Sequence, residues 1–213
     1  MTGFTANFAE LSPAERYKLL TAAVIPRPIA FVTTLGPGGI VNAAPYSFFN
    51  VFSQDPALVV LGIEGRPEGG QKDTPRNIRA TGSFVVHLVD EALAAAMNLT
   101  AVNFPPEVSE AAVAGLATLP SQQIPVPRLA DAPFALECRH TVTLGFGRER
   151  ELVLGEVVQL HAREGIVDPT TLRVDLAAYH PVGRLFANLY SRQSDRFELV
   201  RQSYQDYLAT TQG

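Results

Sequence analysis

Short β-rich runs, each bounded by glycine or proline, constrain this chain more than any other feature. Residues 29–35 form one such run, Gly36-Pro37-Gly38-Gly39 a turn, and residues 40–43 the return strand, which together read as a hairpin. Residues 57–63 are almost continuously apolar, as in a strand buried on both faces. Residues 84–89 repeat that character. Residues 134–146 and 151–163 then make a second hairpin-like pair around Gly147-Arg148-Glu149-Arg150, with Leu136, Cys138, His140, Val142 and Leu144 on one parity. Helical signals are few. Ser12-Pro13-Ala14-Glu15 has the form of a capping box opening a helix to about Ala22, and Pro26 and Pro28 force an extended path after it. Residues 91–99 are Ala-rich and helical in character, and residues 108–116 suggest a second small helix. Strands, a helical insert over 91–116, then more strands predict a mainly β fold with α insertions, closed as an antiparallel barrel of six or so strands. A strand–GxGxxG–helix unit is absent, which argues against a Rossmann domain.

Composition narrows the function classes. A chain of 213 residues is long enough for a full hydrophobic core, and 1–193 reads as one domain followed by a tail, 194–213. The net charge of −4 argues against nucleic acid as a partner. No apolar stretch reaches the ~20 residues that span a bilayer, and residues 1–10 carry no secretion signal. The single cysteine, Cys138, excludes an internal disulfide and is compatible with a reducing cytoplasm.

Two segments carry chemistry. Residues 42–50, Asn-Ala-Ala-Pro-Tyr-Ser-Phe-Phe-Asn, read as a strand end rich in small, hydroxyl and amide groups beside aromatics. Lys72-Asp73-Thr74-Pro75-Arg76-Asn77-Ile78 reads as the start of a helix, with Thr74 as N-cap, Pro75 at the first helical position and Gly82 closing it. A helix N-terminus attracts anions, so Lys72, the Thr74 hydroxyl and Asn77 can converge on one phosphate. Asp73 would repel that phosphate and must point away or pair with a cation. Together the segments can hold a flat, amide-edged ring at one end and a phosphate at the other, as FMN requires. The alternative for the second segment is a capped surface helix with a solvated charge cluster.

Elsewhere the sequence offers little chemistry. The serines lack a GxSxG context, and His87, His140, His161 and His180 are scattered without metal-ligand spacing, so no metal is expected. At the end of the chain Ser194-Asp195 can cap a helix bearing Phe197, Val200, Tyr204 and Leu208 at spacings of three and four. That stripe needs a surface, either the chain's own barrel or a second subunit.

The ordered set Arg27-Pro28-Ile29-Ala30, residues 42–50, residues 72–78 and His180-Pro181-Val182-Gly183-Arg184-Leu185 resembles the flavin reductase-like family, across roughly residues 15–192. The resemblance implies a six-stranded antiparallel Greek-key split β-barrel that binds FMN. It implies that Thr33, Thr34 and residues Asn42 to Asn50 line the isoalloxazine ring. Ser47 and the backbone N–H groups around Phe48 and Phe49 would meet its polar edge or the ribityl chain. Lys72, Thr74 and Asn77 would hold the phosphate. It also implies a homodimer with the flavin near the interface, and it makes His180 a candidate substrate-side residue. The chain departs from the family in the last motif, where Phe186-Ala187 stands in place of the two glycines of many members.

Flavin carries its own redox chemistry, so the protein need supply only binding, orientation and electrostatics. The expectation is therefore an FMN-dependent oxidoreductase that takes hydride from NADH or NADPH and reduces flavin or a small acceptor. Two alternatives stand beside it: an electron-transfer or oxygen-reacting flavoprotein without a nicotinamide site, and a non-catalytic FMN carrier or sensor.

Overall fold

A computed structural model describes residues 3–66, 69–147 and 150–211. Helix α1 (Pro13–Ala23) precedes strand β1 (Ala30–Leu35), a single 3-10 turn, and strands β2 (Val41–Tyr46), β3 (Phe49–Gln54) and β4 (Ala57–Glu64). Helix α2 (Asp73–Thr81), strand β5 (Ser83–Leu88) and helices α3 (Glu91–Leu99) and α4 (Glu110–Val113) follow. Two short strands, β6 (Thr118–Leu119) and β7 (Arg128–Leu129), lead to the long pair β8 (Phe134–Phe146) and β9 (Arg150–Ala162). Strands β10 (Val182–Arg184) and β11 (Tyr190–Arg192) and helix α5 (Tyr204–Thr211) complete the chain.

The principal sheet has seven strands in the order β2-β1-β5-β8-β9-β4-β3, all antiparallel. Its two edge strands are consecutive in sequence. A flat seven-stranded sheet would hold its edges about 29 Å apart, at ~4.8 Å per strand. The three residue steps from Tyr46 to Phe49 reach only about 11 Å. The sheet must therefore be rolled, with Ser47-Phe48 crossing the seam. The Gly62 N–H donates to the Phe48 carbonyl at 2.6 Å and fastens that crossing to β4. A Cβ on Gly62 would lie 2.9 Å from the Phe48 Cβ, so the contact requires glycine. Sequence reasoning expects six strands; the break at Ser47-Phe48 divides one lane into β2 and β3 and gives seven. The spatial order β5, β1, β2/β3, β4 is a Greek key, since the fourth strand returns beside the first.

The barrel interior is filled by Ala30, Val32, Phe49, Leu61, Phe84, Val86 and Val153 among others, and Ile78 of α2 plugs one end. Helix α1 opens on the expected capping box, the Ser12 hydroxyl and Glu15 carboxylate satisfying each other's backbone N–H. Gly82 closes α2 in the left-handed region, φ 69°, donating to the Ile78 carbonyl. A bulge at Thr141, between His140 and Val142, interrupts the parity expected of β8, so Cys138 is buried while Val142 and Leu144 are exposed. Residues 148 and 149 of the expected turn lie outside the described residues.

The insert packs on the outer face of β1 and β2, where Phe31 and Ala43 meet Leu93, Met97 and Ala111. Its second helix is only four residues long, shorter than the 108–116 expected. That helix covers the open edge of β2. The Ser109 hydroxyl donates to the Val41 carbonyl at 2.7 Å, and the Ala43 N–H donates to Glu110 Oε2 at 3.1 Å. The motifs at Arg27 and Arg184 meet through paired backbone hydrogen bonds, and buried Arg27 donates to the carbonyls of Val24 and Leu185.

The end of the chain differs from expectation. Residues 194–203 are neither helix nor strand, and helix begins only at Tyr204, so Ser194-Asp195 caps nothing. Among the described residues no helix is long and apolar enough to cross a membrane.

Candidate functional site

Strand periodicity places Asn42, Ala44 and Tyr46 on one face of β2. They form one wall of a cavity of about 190 Å³ whose opposite wall is Lys72, Asp73 and Thr74 at the start of α2. Arg66 and Glu110 add charges at its sides, and residues 100–104 from the end of α3 close over it.

The N-cap of α2 is Lys72, two residues before the expected Thr74, and its side chain does not cap the helix. The first-turn N–H groups and the positive end of the helix dipole therefore face the cavity. Thr74 instead serves the wall. Its hydroxyl, in a residue 1% exposed, accepts the Asn42 side-chain amide at 3.0 Å. Asp73 is resolved as the sequence requires, paired with Arg66 at 2.7 Å and with Arg76 in the same helix turn. Lys72 has no carboxylate partner among the described residues, and its ammonium lies 5.8 Å from the centre of the Tyr46 ring.

Tyr46 carries the clearest signal. Its side chain is 7% exposed, and its hydroxyl, buried beside Thr74, makes no well-formed hydrogen bond among the described residues. Burial holds its proton well above the usual phenol range. Glu110 sits across from it, mostly buried, with its pKa raised first by that burial. The cavity is thus cationic and donor-rich at the α2 end, with an acceptor opposite.

These residues fit a phosphate and the polyol attached to it. Lys72, the α2 amides, the Thr74 hydroxyl and the Tyr46 hydroxyl all donate. The volume falls below the ~300 Å³ typical of whole-ligand pockets.

Of the residues the sequence nominates, Asn42, Lys72 and Thr74 reach this cavity. Thr33, Thr34 and Asn77 do not. The Thr33 hydroxyl donates to the Pro127 carbonyl at 2.8 Å on the outer face of β1. Asn77 is 2% exposed and gives its amide to the Thr34 hydroxyl at 3.1 Å, tying α2 to the barrel. Ser47, Phe48, Phe49 and Asn50 border a separate groove with Leu20, Val24 and Pro26. Within it Phe49 points into the barrel core, whereas Phe48 is exposed against Tyr17. His180 is exposed and does not line the cavity, and its carbonyl receives the Glu91 N–H. Arg66 and Glu110 were not foreseen, and Tyr46, within the 42–50 run expected along the ring, lines the cavity beside Lys72 and Thr74. Tyr46 shares the strand parity of Asn42, a signal the sequence does contain; Glu110 arrives from the insert and leaves none.

Among the described residues no cluster of His, Cys, Asp and Glu could hold a metal ion. The model of the flavin reductase like domain matches residues 22–183. A 2-nitrobenzoate 2-nitroreductase of Pseudomonas fluorescens is 39% identical, with a TM-score of 0.87 over 94% of this chain and 98% of that one. Nitrilotriacetate monooxygenase component B of Bacillus cereus is 36% identical, with a TM-score of 0.88 over 93% of this chain and 100% of that one. An uncharacterized protein of Deinococcus radiodurans is 43% identical over 93% of this chain and 89% of its own length. A protein with a split barrel domain from Shewanella frigidimarina, 19% identical with a TM-score of 0.78 over 95% of this chain and 100% of that one, shares the fold. The rolled sheet, its donor-lined cavity and these likenesses agree: the chain belongs to the flavin reductase-like family of split-barrel flavin oxidoreductases.

Proposed function

We propose that the protein binds FMN with its phosphate at the α2 end of the cavity, and takes hydride from NADH or NADPH to reduce a small acceptor. The observation that carries this reading is the start of α2, without a side-chain cap, which lines one cavity together with Lys72, Thr74 and Tyr46. Bound flavin supplies the two-electron redox chemistry. The chain's own residues bind and orient: Lys72 neutralises the phosphate, Thr74 and Tyr46 fix its oxygens, and Glu110 accepts from a ribityl hydroxyl. The Pseudomonas fluorescens relative is a nitroreductase, which favours a small organic acceptor. The Bacillus cereus relative is one component of a monooxygenase, which supports a second reading in which reduced flavin is passed to a partner enzyme.

We further propose a homodimer. The cavity is too small for a whole flavin, and β3 is an edge strand with Val51 and Phe52 two-thirds exposed. A second copy covering that edge would shield both the strand and the ring.

Calorimetric titration with FMN and with riboflavin tests the site. FMN should bind at least ~10-fold more tightly than riboflavin, the net worth of one or two phosphate contacts. In Lys72→Ala most of that preference should vanish while riboflavin affinity stays unchanged. Equal affinity for the two flavins in the unaltered protein would overturn the phosphate assignment.

A further inference from the structure

Arg27 is a buried cation without a counter-ion. It is 6% exposed, and its guanidinium donates to the carbonyls of Thr21, Val24 and Leu185. Among the described residues no carboxylate pairs with it. The ionisable groups that bear on it are Tyr17 and Arg184, a phenol and a second cation. Arg184 is spent on the Ala187 carbonyl and the Tyr190 ring. Carbonyl oxygens satisfy the N–H groups of a guanidinium but leave its charge uncompensated, and buried charges are ordinarily paired.

This charge borders an open groove of about 380 Å³ between α1 and the β2–β3 crossing, within the size range of small-molecule sites. Leu20, Val24, Pro26 and Phe48 give the groove apolar walls. At its polar end Arg27 Nε donates to Ser47 Oγ at 3.5 Å, and the Ser47 hydroxyl proton meets no acceptor among the described residues. Asn50 Oδ1 accepts the Val51 N–H at 2.8 Å, which leaves the amide nitrogen to donate. No acidic side chain among the described residues lines the groove. The side chains at that end thus offer donors backed by a cation, and the walls offer apolar contact. A neutral ligand would gain nothing from the charge, and a bare inorganic anion nothing from the walls. A flat apolar body carrying one carboxylate uses both.

We propose that this groove binds a small aromatic carboxylate, with Ser47 and Asn50 donating to its oxygens and Arg27 balancing its charge. Ser47 directly follows Tyr46, which lines the phosphate cavity, so ligand and cofactor share one end of β2. The acceptor of the reductase reading is then an aromatic acid; that step alone rests on the function proposed above, while the binding site does not.

Calorimetric titration of the full chain with benzoate and with benzamide, each with and without FMN, tests it. The two probes share a ring and differ in charge. Benzoate should bind at least ~10-fold more tightly, the scale of one or two charge-assisted hydrogen bonds. Equal affinities overturn the carboxylate, and no binding of either probe overturns the site and leaves the groove to a protein surface. Arg27→Gln should abolish the preference, but it also cuts the ties to three carbonyls. Ser47→Ala, at a half-buried position, and Asn50→Ala, at an exposed one, avoid that difficulty. Each should lower benzoate affinity by up to ~10-fold, and benzoate affinity unchanged in both overturns the site. FMN titration of the same samples separates the two readings. A benzoate preference in a protein that ignores FMN would sink the flavin assignment alone, and an FMN-binding protein indifferent to benzoate would sink the groove alone.

Discussion

The side-chain amide of Asn42 donates to the Thr74 hydroxyl across 3.0 Å, joining β2 to the first turn of α2 inside the cavity wall. A threonine hydroxyl has one proton to give. Asn42 occupies one of the oxygen's two acceptor positions, and the proton can turn to the Tyr46 hydroxyl or to a phosphate oxygen in the cavity. Asn42 thus orients Thr74 without having to touch the ligand itself.

Asn42→Ala should weaken FMN binding by about 10-fold, and Thr74→Ala by a similar factor, on the scale of one net hydrogen bond. The double variant should lose little more than either single one, since both changes disable the same donor. Fluorescence titration of the four proteins measures the coupling. Fully additive losses would show that Asn42 does not act through Thr74.

Tyr46→Phe separates two quantities. Removing a buried hydroxyl whose contact with Thr74 falls short of good hydrogen-bond geometry should change the stability of the flavin-free protein by no more than ~1 kcal/mol. The same change should weaken FMN binding by about 10-fold, because the ligand loses a donor. Urea unfolding without flavin and titration with it read the two separately. A destabilised but normally binding variant would contradict the role assigned to this hydroxyl.

His87 predicts how the barrel responds to acid. Its ring is wholly buried, with Nδ1 donating to the Phe31 carbonyl at 2.8 Å and Nε2 accepting the Leu129 N–H at 2.9 Å. Burial, the largest cause, lowers its pKa from 6.5 to about 4. The unfolded chain therefore takes up the proton first as pH falls. Stability that is full above pH 6.5 is lost progressively down to about pH 4, by about 3 kcal/mol at ~1.4 kcal/mol per unit. Unfolding free energies measured across that window should flatten in His87→Gln. An unchanged slope would place the acid sensitivity elsewhere.

Ala187, which follows Phe186 after the Arg184-Leu185 motif, sits at φ 50°, a left-handed conformation that costs a non-glycine residue roughly 1 kcal/mol. Its carbonyl receives the Arg184 guanidinium, which also stacks over Tyr190 at 4.5 Å and holds the turn in place. Ala187→Gly should raise the Tm by a few degrees or leave it level, the relief being partly offset by glycine's greater freedom when unfolded. A clear fall in Tm would contradict the assigned backbone strain.

Local signals in the sequence carried the fold further than the site. Gly and Pro punctuation located the strands, and the Ser12–Glu15 box and Gly82 marked helix ends, because each depends on a few adjacent residues. Thr74 was found through its place at a helix start, although its hydroxyl caps nothing and meets Asn42 instead. Asn77 and Thr34 look polar enough for a ligand, but the rolled sheet turns them toward each other. Glu110 was invisible because the fold of the insert alone brings it to β2. The spacing of Phe197, Val200 and Tyr204 suggested a helix throughout the tail. Period alone does not make one without a surface to bury it, and on its own chain Phe197 stays 86% exposed.

The most direct test of the proposed activity is anaerobic stopped-flow mixing of the FMN-loaded protein with NADH and, separately, NADPH, following loss of the flavin's visible absorbance. Rapid, saturable bleaching by at least one nucleotide is the predicted result. Bleaching by a chemical reductant alone, with both nucleotides inert, would contradict nicotinamide-dependent turnover and favour electron transfer from another donor or a carrier role.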